Sequence, residues 1–191
     1  KAREYLAGRG LGEEILKVFG VGFAPSAWDT LLIKGQQAGY SIPELLRTGL
    51  AQKNNKGGVY DRFRNRVIFP LRDAAGHATG LGGRVLGPHD PATQGPKYLN
   101  TPETPLYKKS QVLYGIDLAR KEIAKRKQAV IVEGYTDVMA AHLSGVETAV
   151  ATCGTSFGAE HIKVLRRLLM DDDTFRGEVI FTFDGDAAGQ K

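Results

Sequence analysis

Short apolar segments alternate with amphipathic segments through the last third of this 191-residue sequence. AVIVEG, ETAVATC and EVIFTFDGD have the length and β-branched content of buried strands, and TDVMAAHLSG and GAEHIKVLRRLL between them have helical spacing. A strand-helix-strand-helix-strand order predicts a parallel sheet that is covered on both faces. The pattern therefore assigns residues 128–191 to an α/β domain.

Acidic residues follow the first and the last of these predicted strands. Glu133 comes directly after AVIV, and Asp184 and Asp186 follow VIFTF. Ligands of open parallel sheets bind at the carboxyl ends of the strands, so we expect three carboxylates at one edge. Carboxylates without a cation repel one another, and their hard oxygens suit Mg²⁺ or Mn²⁺. Acids after strands are also ordinary turn and capping residues, but an E-G-x-x-D pattern paired with D-G-D favours a metal site.

Charge divides the chain into a basic part and an acidic part. Residues 1–127 carry 21 lysines and arginines against 11 acidic residues, whereas residues 128–191 carry 5 against 10. This asymmetry suggests that the first part binds a polyanion and the second holds a metal. Two solvated surfaces would give the same counts, so charge alone leaves both interpretations open.

A β-hairpin is predicted within the basic part. RFRNRVIFPLRD and ATGLGGRVLG have the composition of strands and are joined through AAGH, whereas residues 51–61 and 88–105 are predicted to be loops. Strand alternation would place Arg62, Arg64 and Arg66 on one face. Such a row is a candidate nucleic-acid contact, and a solvated strand face is the plain alternative for each arginine.

The segment PKYLN, residues 96–100, combines a cation, an aromatic ring and an amide. Lys97 can contact phosphate, Tyr98 can stack on a base, and Asn100 can form hydrogen bonds. A single strand or a nucleotide requires these three kinds of contact. A loop whose tyrosine packs inward is an equally good interpretation from these residues alone.

VIVEGYTD and FTFDGDAAG resemble the first two motifs of the TOPRIM domain, which bacterial primases, topoisomerases and some nucleases share. The resemblance covers residues 128–191 and implies a Rossmann-like parallel sheet. It implies Glu133, Asp184 and Asp186 as catalytic and metal-binding residues, and Asp137 as a further acidic position of the primase version. The family has another acidic motif downstream of D-G-D, so this TOPRIM domain is expected to be incomplete.

Residues 1–127 resemble the N-terminal part of the catalytic core of bacterial DnaG-type replicative primases, with a mixed α+β fold expected there. The motifs are YDRFRNRVIFPLRD, GLGGRVLG and PKYLNTPETPLYKKSQVLYG, in the same order and spacing. The resemblance implies contacts to nucleotide or template from eight residues: Arg9, Arg62, Arg64, Arg84, Lys97, Tyr98, Asn100 and Lys109.

A primase-like chain is expected to be a nucleotidyltransferase that makes short RNA primers. Its partners would be a single-stranded DNA template, ribonucleoside triphosphates and Mg²⁺ or Mn²⁺, with truncation expected to impair this fragment. The family also has a zinc-binding N-terminal domain and a C-terminal domain that binds the replicative helicase. Both are expected to be absent here, so no zinc is expected.

Two alternatives stay open at this point. A TOPRIM topoisomerase or nuclease does not account for RFRNRVIFP and PKYLN, and a non-catalytic fragment would bind only nucleic acid or nucleotides. Cys153 is the single cysteine, which excludes an internal disulfide and fits a reducing cytoplasm. No apolar segment reaches the length of a membrane span, so no membrane partner is expected. The resemblance to primases implies a cytoplasmic protein of the replisome on the nucleoid.

Overall fold

The computed structural model describes residues 1–169 and 177–183. In chain order, these residues form helices with antiparallel strands and then helices with parallel strands. The helices are α1 (Ala2–Ala7), α2 (Glu13–Val18), α3 (Thr30–Gln37), α4 (Ile42–Arg47), α5 (Pro91–Gln94), α6 (Ile116–Arg126), α7 (Tyr135–Leu143) and α8 (Ala159–Leu169). The strands are β1 (Gly22–Ala24), β2 (Ala51–Lys53), β3 (Val59–Asp61), β4 (Arg66–Arg72), β5 (Ala78–Val85), β6 (Tyr98–Asn100), β7 (Gln128–Val132), β8 (Ala149–Ala151) and β9 (Glu178–Phe181). None of the described helices has the length and apolarity needed to cross a bilayer.

The basic part contains a four-stranded antiparallel sheet in the order β1-β4-β5-β6. Its centre is the predicted hairpin of β4 and β5, which is confirmed. The Asp73 carboxylate accepts hydrogen bonds from the amides of Ala75 and His77 at 2.9 and 3.0 Å, which closes the turn. Gly76 has a φ of +93° in this turn, a conformation that L residues with a side chain rarely adopt.

Both segments that were predicted to be loops contain regular structure. Residues 51–61 form the β2–β3 hairpin, and residues 88–105 contain the short helix α5 and the strand β6. These strands have three residues each, too few to show an alternating pattern in the sequence. β6 is defined by its pairing with β5, which places Tyr98 opposite Arg84.

The acidic part forms the predicted parallel sheet, with strand order β8-β7-β9. Helix α7 connects β7 to β8, and α8 lies between β8 and β9. Ile131 in the central strand pairs with Val150 on one side and Phe181 on the other. The carboxyl ends of all three strands therefore lie along one edge. An antiparallel sheet followed by a parallel sheet confirms the predicted fold class.

One hydrophobic cluster joins the two sheets. Phe69 of β4 is stacked on Tyr135 of α7, with ring centroids 4.4 Å apart, and both side chains are buried together with Val130 of β7. Residues from before and after position 127 thus share a core. The division of the chain into one domain of residues 1–127 and another of residues 128–191 stays a prediction.

Glycines in β5 make room for aromatic rings. A Cβ atom at Gly80 or Gly83 would lie 2.8 Å from the ring of Tyr107 or Phe63, and one at Gly82 would overlap the Tyr135 ring. The glycines of the segment GLGGR therefore leave the space that three aromatic rings occupy beside its backbone.

Candidate active-site cleft

A cleft of about 310 Å³ lies at the carboxyl edge of the parallel sheet, where it faces the basic part of the chain. Its walls come from the turn after α1, from β6, from the loop after β7 with the start of α7, and from the loop after β8. Four residues predicted from sequence line it together: Arg9, Tyr98, Glu133 and Asp137. The remaining lining residues are Gly134, Tyr135, Thr136, Cys153 and Gly154.

The acidic wall is the turn between β7 and α7. Glu133 directly follows β7, and Gly134 precedes the first residue of α7. The Gly134 amide donates a hydrogen bond to Asp137 Oδ2 at 2.9 Å, so Asp137 caps the helix that begins there. Asp137 Oδ1 accepts a longer bond from Thr136 Oγ1 at 3.4 Å. The capping interpretation therefore holds for Asp137, and its carboxylate still lines the cleft.

A hydrogen-bonded chain across the floor of the cleft joins the two sheets. The Tyr135 hydroxyl donates to Asn100 Oδ1 at 2.7 Å, and Asn100 Nδ2 donates to the carbonyl of Cys153 at 2.9 Å. Burial raises the pKa of Tyr135 and of Cys153, so both groups keep their protons at neutral pH. Asn100 thus uses both ends of its amide within the protein. Its predicted contact with a nucleotide stays a prediction.

Two arginines around one aromatic ring form a basic cluster at the cleft, and Arg9 is the member of this cluster that lines the cleft. The guanidinium carbon of Arg84 lies 4.2 Å from the centroid of the Tyr5 ring, and that of Arg9 lies 5.1 Å from it. Arg84 is also 6.0 Å from the Tyr98 ring centroid. Arg9 Nη1 reaches across the cleft mouth to Thr136 Oγ1 at 3.3 Å. The cleft and its immediate surroundings therefore include cationic and aromatic groups as well as the two carboxylates.

The predicted row of three arginines is wrong. Strand β4 begins only at Arg66, because Asn65 has a φ of +50° and interrupts the extended backbone. Arg62 donates to the carbonyl of Asn100 at 3.0 Å and to Gln52 Oε1 at 3.2 Å. Arg66 is 3% exposed, and burial lowers its pKa. Its guanidinium donates to the carbonyls of Gly83, Gln94, Pro96 and Lys97.

Arg64 belongs to a separate surface that we call the Trp28 platform, formed by Trp28, Tyr60 and Arg64. Its guanidinium carbon lies 4.1 Å from the centroid of the Trp28 ring and 4.9 Å from that of Tyr60. Trp28 is 62% exposed. Buried Asp61 accepts hydrogen bonds from the amides of Leu31 and Leu32 at 2.7 and 2.9 Å, which fixes the start of α3 beside the platform. The sequence did not identify Trp28 or Tyr60 as functional residues, because a single aromatic residue does not show whether it packs inside or lies on the surface.

The two predicted lysines lie outside the lining of the cleft. Lys97 immediately precedes β6, and its backbone carbonyl accepts a hydrogen bond from the Val85 amide at 3.1 Å. The Lys109 amide donates to Glu103 Oε1 at 2.8 Å. Both lysines are exposed, so their ammonium groups can reach a ligand that extends beyond the cleft.

The predicted metal site is only partly within the described residues. Asp184 and Asp186 lie outside them, while Phe183 is the last described residue after β9. The Thr182 amide donates to the carbonyl of Ile131 at 2.9 Å, so this segment follows β7 towards the edge where Glu133 lies. Residues 1–169 and 177–183 contain no cluster of three or more metal-ligating side chains. The hard carboxylate oxygens of Glu133 and Asp137 fit a divalent cation as part of a larger ligand set.

Comparisons with protein families match nearly the whole chain. The family described as "DNA primase catalytic core, N-terminal domain" matches residues 1–120. The family described as "Toprim domain" matches residues 127–191. The motifs of the basic part thus lie in the first match, and the acidic residues after the strands lie in the second.

Individual relatives agree with both matches. The DNA primase of Streptomyces coelicolor is 58% identical over 189 residues, which are 99% of this chain and 28% of that protein. A crystal structure of the RNA polymerase domain of Mycobacterium tuberculosis primase DnaG has a TM-score of 0.92 and 53% identity, and covers 99% of this chain and 60% of that chain. The same domain in complex with a double-stranded DNA oligomer with a 6-nucleotide overhang has a TM-score of 0.91 and 54% identity. That match covers 98% of this chain and 58% of the other.

Proposed function

The chain belongs to the DNA primase catalytic-core family, and from this premise we propose that it forms the template- and nucleotide-binding part of a primase. The reaction would join ribonucleotides into short RNA primers on single-stranded DNA. The observation that carries this proposal is the cleft that Arg9, Tyr98, Glu133 and Asp137 line together. Phosphate, base and metal could all be bound there within one volume.

Arg9 and the neighbouring Arg84 would bind phosphate groups, and Tyr98 would stack on a base. Tyr98 is 49% exposed, so about half of the residue is accessible to a stacking base. The Trp28 platform would bind the template strand away from the cleft, because an exposed ring beside a guanidinium is the usual contact for an unpaired base. The M. tuberculosis domain crystallised with DNA that includes a single-stranded overhang supports a DNA template for this chain.

The family implies a divalent metal, and we propose Mg²⁺ or Mn²⁺ held by Glu133, Asp184 and Asp186, with Asp137 beside them. When bound, the metal would stabilise the triphosphate charge and lower the pKa of the attacking 3′-hydroxyl. Glu133 and Arg9 line the same cleft, so the carboxylate would orient the metal while the arginine binds phosphate. Neutral Tyr135 and Cys153 would keep the floor of the cleft free of competing charge.

The remaining partners belong to the longer proteins that this chain matches. The chain spans 28% of the length of the S. coelicolor primase. Ribonucleoside triphosphates as substrates, a replicative helicase as partner and a place at the replisome on the nucleoid are therefore proposals. They follow from the family and not from contacts in the described residues.

The alternative enzyme classes account for less of the chain. A TOPRIM topoisomerase or nuclease would explain residues 127–191, but residues 1–120 match the N-terminal domain of the primase core. A protein that continues past Lys191 to the length of the solved cores tests this directly. We expect it to make oligoribonucleotides on a single-stranded template and to leave supercoiled plasmid and linear DNA intact. Relaxation or cleavage of the DNA without RNA synthesis would contradict the proposal.

Lys97→Ala is expected to weaken binding of single-stranded DNA about two- to fivefold at low salt, because one phosphate contact is lost. The slope of log Kd against log salt should fall by about one. Fluorescence anisotropy with a labelled oligonucleotide measures both quantities. Lys121→Ala, an exposed lysine of α6, is the matched control. If Lys97→Ala and Lys121→Ala have the same affinity and the same salt dependence, Lys97 does not contact the template.

Trp28→Ala is expected to weaken binding of single-stranded DNA about tenfold, because stacking on a base contributes about 1–3 kcal/mol. Binding of a fluorescent ribonucleoside triphosphate should not change, since the Trp28 platform lies outside the cleft lining. Tyr40→Ala removes another exposed aromatic ring and serves as the control. Parallel losses of both ligands, or no loss of DNA binding, would contradict a template role for the platform.

A further inference from the structure

The ring of Tyr5 contacts two guanidinium groups from different parts of the chain. Arg84 belongs to β5, whereas Arg9 lies in the turn after α1, the helix that carries Tyr5. Their guanidinium carbons are 4.2 and 5.1 Å from the ring centroid, within the range of a cation–π interaction. The ring thus connects the antiparallel sheet to the mouth of the cleft, where Arg9 lies.

The two guanidinium groups need such a partner. Within residues 1–169 and 177–183, neither Arg9 nor Arg84 forms an ion pair with a carboxylate. Two like charges around one ring repel each other, and the negative face of the ring offsets part of this repulsion. Arg84 Nη1 also donates to the carbonyl of Val85 at 2.9 Å, which leaves the charge itself uncompensated.

The hydroxyl group of Tyr5 takes no part in this arrangement. It is buried and has no hydrogen-bond partner among the described residues. Burial also raises the pKa of Tyr5, so the phenol keeps its proton at neutral pH and provides no negative charge to the arginines. The aromatic face is therefore the part of the side chain that interacts with the two cations.

We propose that Tyr5 is a positioning residue, whose aromatic face holds Arg9 in the cleft lining and Arg84 beside it, with their charges available to phosphate. This inference rests on the proposed function, because it assumes that the cleft binds a phosphate-bearing ligand. The phosphate could belong to a ribonucleoside triphosphate or to the DNA template. Both ligands are therefore tested separately.

The experiment measures binding by fluorescence anisotropy with the 191-residue chain at low salt. The probes are a fluorescent ribonucleoside triphosphate with Mg²⁺ and a labelled 12-nucleotide single strand. Tyr5→Phe keeps the aromatic face, whereas Tyr5→Leu and Tyr5→Met fill the space without it. Tyr40→Leu removes an exposed tyrosine elsewhere and is the control. Thermal unfolding of each variant identifies those that retain the fold.

Tyr5→Phe is expected to bind both probes within about twofold of the wild type, because the ring face is unchanged. Tyr5→Leu and Tyr5→Met are expected to lose about tenfold in affinity for at least one probe while melting near the wild-type temperature. The probe affected identifies the phosphate source. In an Arg84→Gln background, Tyr5→Met should have little further effect, because its main partner is gone.

Four results would overturn the inference. Wild-type affinity in both Tyr5→Leu and Tyr5→Met shows that the ring is dispensable, and an equal loss in Tyr5→Phe shows that the hydroxyl group is the active part. If Tyr5→Met causes the same loss of affinity in the Arg84→Gln background as in the wild type, Tyr5 does not act through Arg84. A wild-type chain that binds neither probe contradicts the proposed function itself, and that outcome is distinct from the other three.

Discussion

Gly82→Ala is expected to lower the free energy of unfolding by about 3 kcal/mol, the upper part of the range for an overpacked core. A methyl group at this position would overlap the hydroxyl group and ring of Tyr135. That ring is stacked on Phe69 at 4.4 Å, so it cannot retreat without disturbing the shared core. A shift of the ring would also break the hydrogen bond from Tyr135 to Asn100. The damage should therefore reach the contact between the two sheets.

Urea unfolding followed by circular dichroism measures this effect. Gly22→Ala is the matched control, because Gly22 also lies in an antiparallel strand and a Cβ atom there would meet nothing within 4 Å. The control should change stability by less than about 1 kcal/mol. If Gly82→Ala unfolds at the same urea concentration as Gly22→Ala, then Tyr135 does not pack against the β5 backbone as described.

The parallel sheet could be predicted from the sequence because its strands are buried on both faces. Continuous apolar segments such as residues 129–132 are visible without knowledge of their partners. Chain topology then places residues that follow such strands, Glu133 among them, at one edge. The cleft confirms that Glu133 lies at this edge, beside Arg9 and Tyr98.

The basic part was harder to predict because its contacts are between distant segments. The row of arginines failed at a single residue, Asn65, whose backbone leaves the extended conformation. The stack of Tyr5 on Arg84 joins positions 79 residues apart in the chain, and no periodic pattern records such a contact. Strand β6 has only three residues and is defined by its hydrogen-bonded pairing with β5. Resemblance to a family identified several of these residues, but not their contacts.

Glu133→Gln is expected to reduce primer synthesis by about 100-fold or more, in a protein that continues past Lys191 to the length of the solved cores. Glutamine keeps the shape of the side chain and removes the charge that would hold the metal. Binding of single-stranded DNA should be unchanged, because the Trp28 platform and Lys97 lie outside the cleft lining. Asp184→Asn tests the other predicted strand end in the same way.

Glu147→Gln is the control for this substitution. Glu147 lies between α7 and β8 in the same part of the chain, it is exposed, and its ion pair with Arg126 at 3.8 Å is a surface contact of little energetic weight. The control should make primers at close to the wild-type rate. Equal melting temperatures of the two variants would show that loss of activity in Glu133→Gln is not loss of the fold.

The decisive measurement is template-dependent RNA synthesis by Glu133→Gln, beside wild type and Glu147→Gln. The reactions contain a single-stranded template, ribonucleoside triphosphates and Mg²⁺ or Mn²⁺. We expect labelled oligoribonucleotides from wild type and Glu147→Gln, and about 1% or less of that amount from Glu133→Gln. Primer synthesis by Glu133→Gln at the wild-type rate would contradict the assignment of this cleft as the site of nucleotidyl transfer.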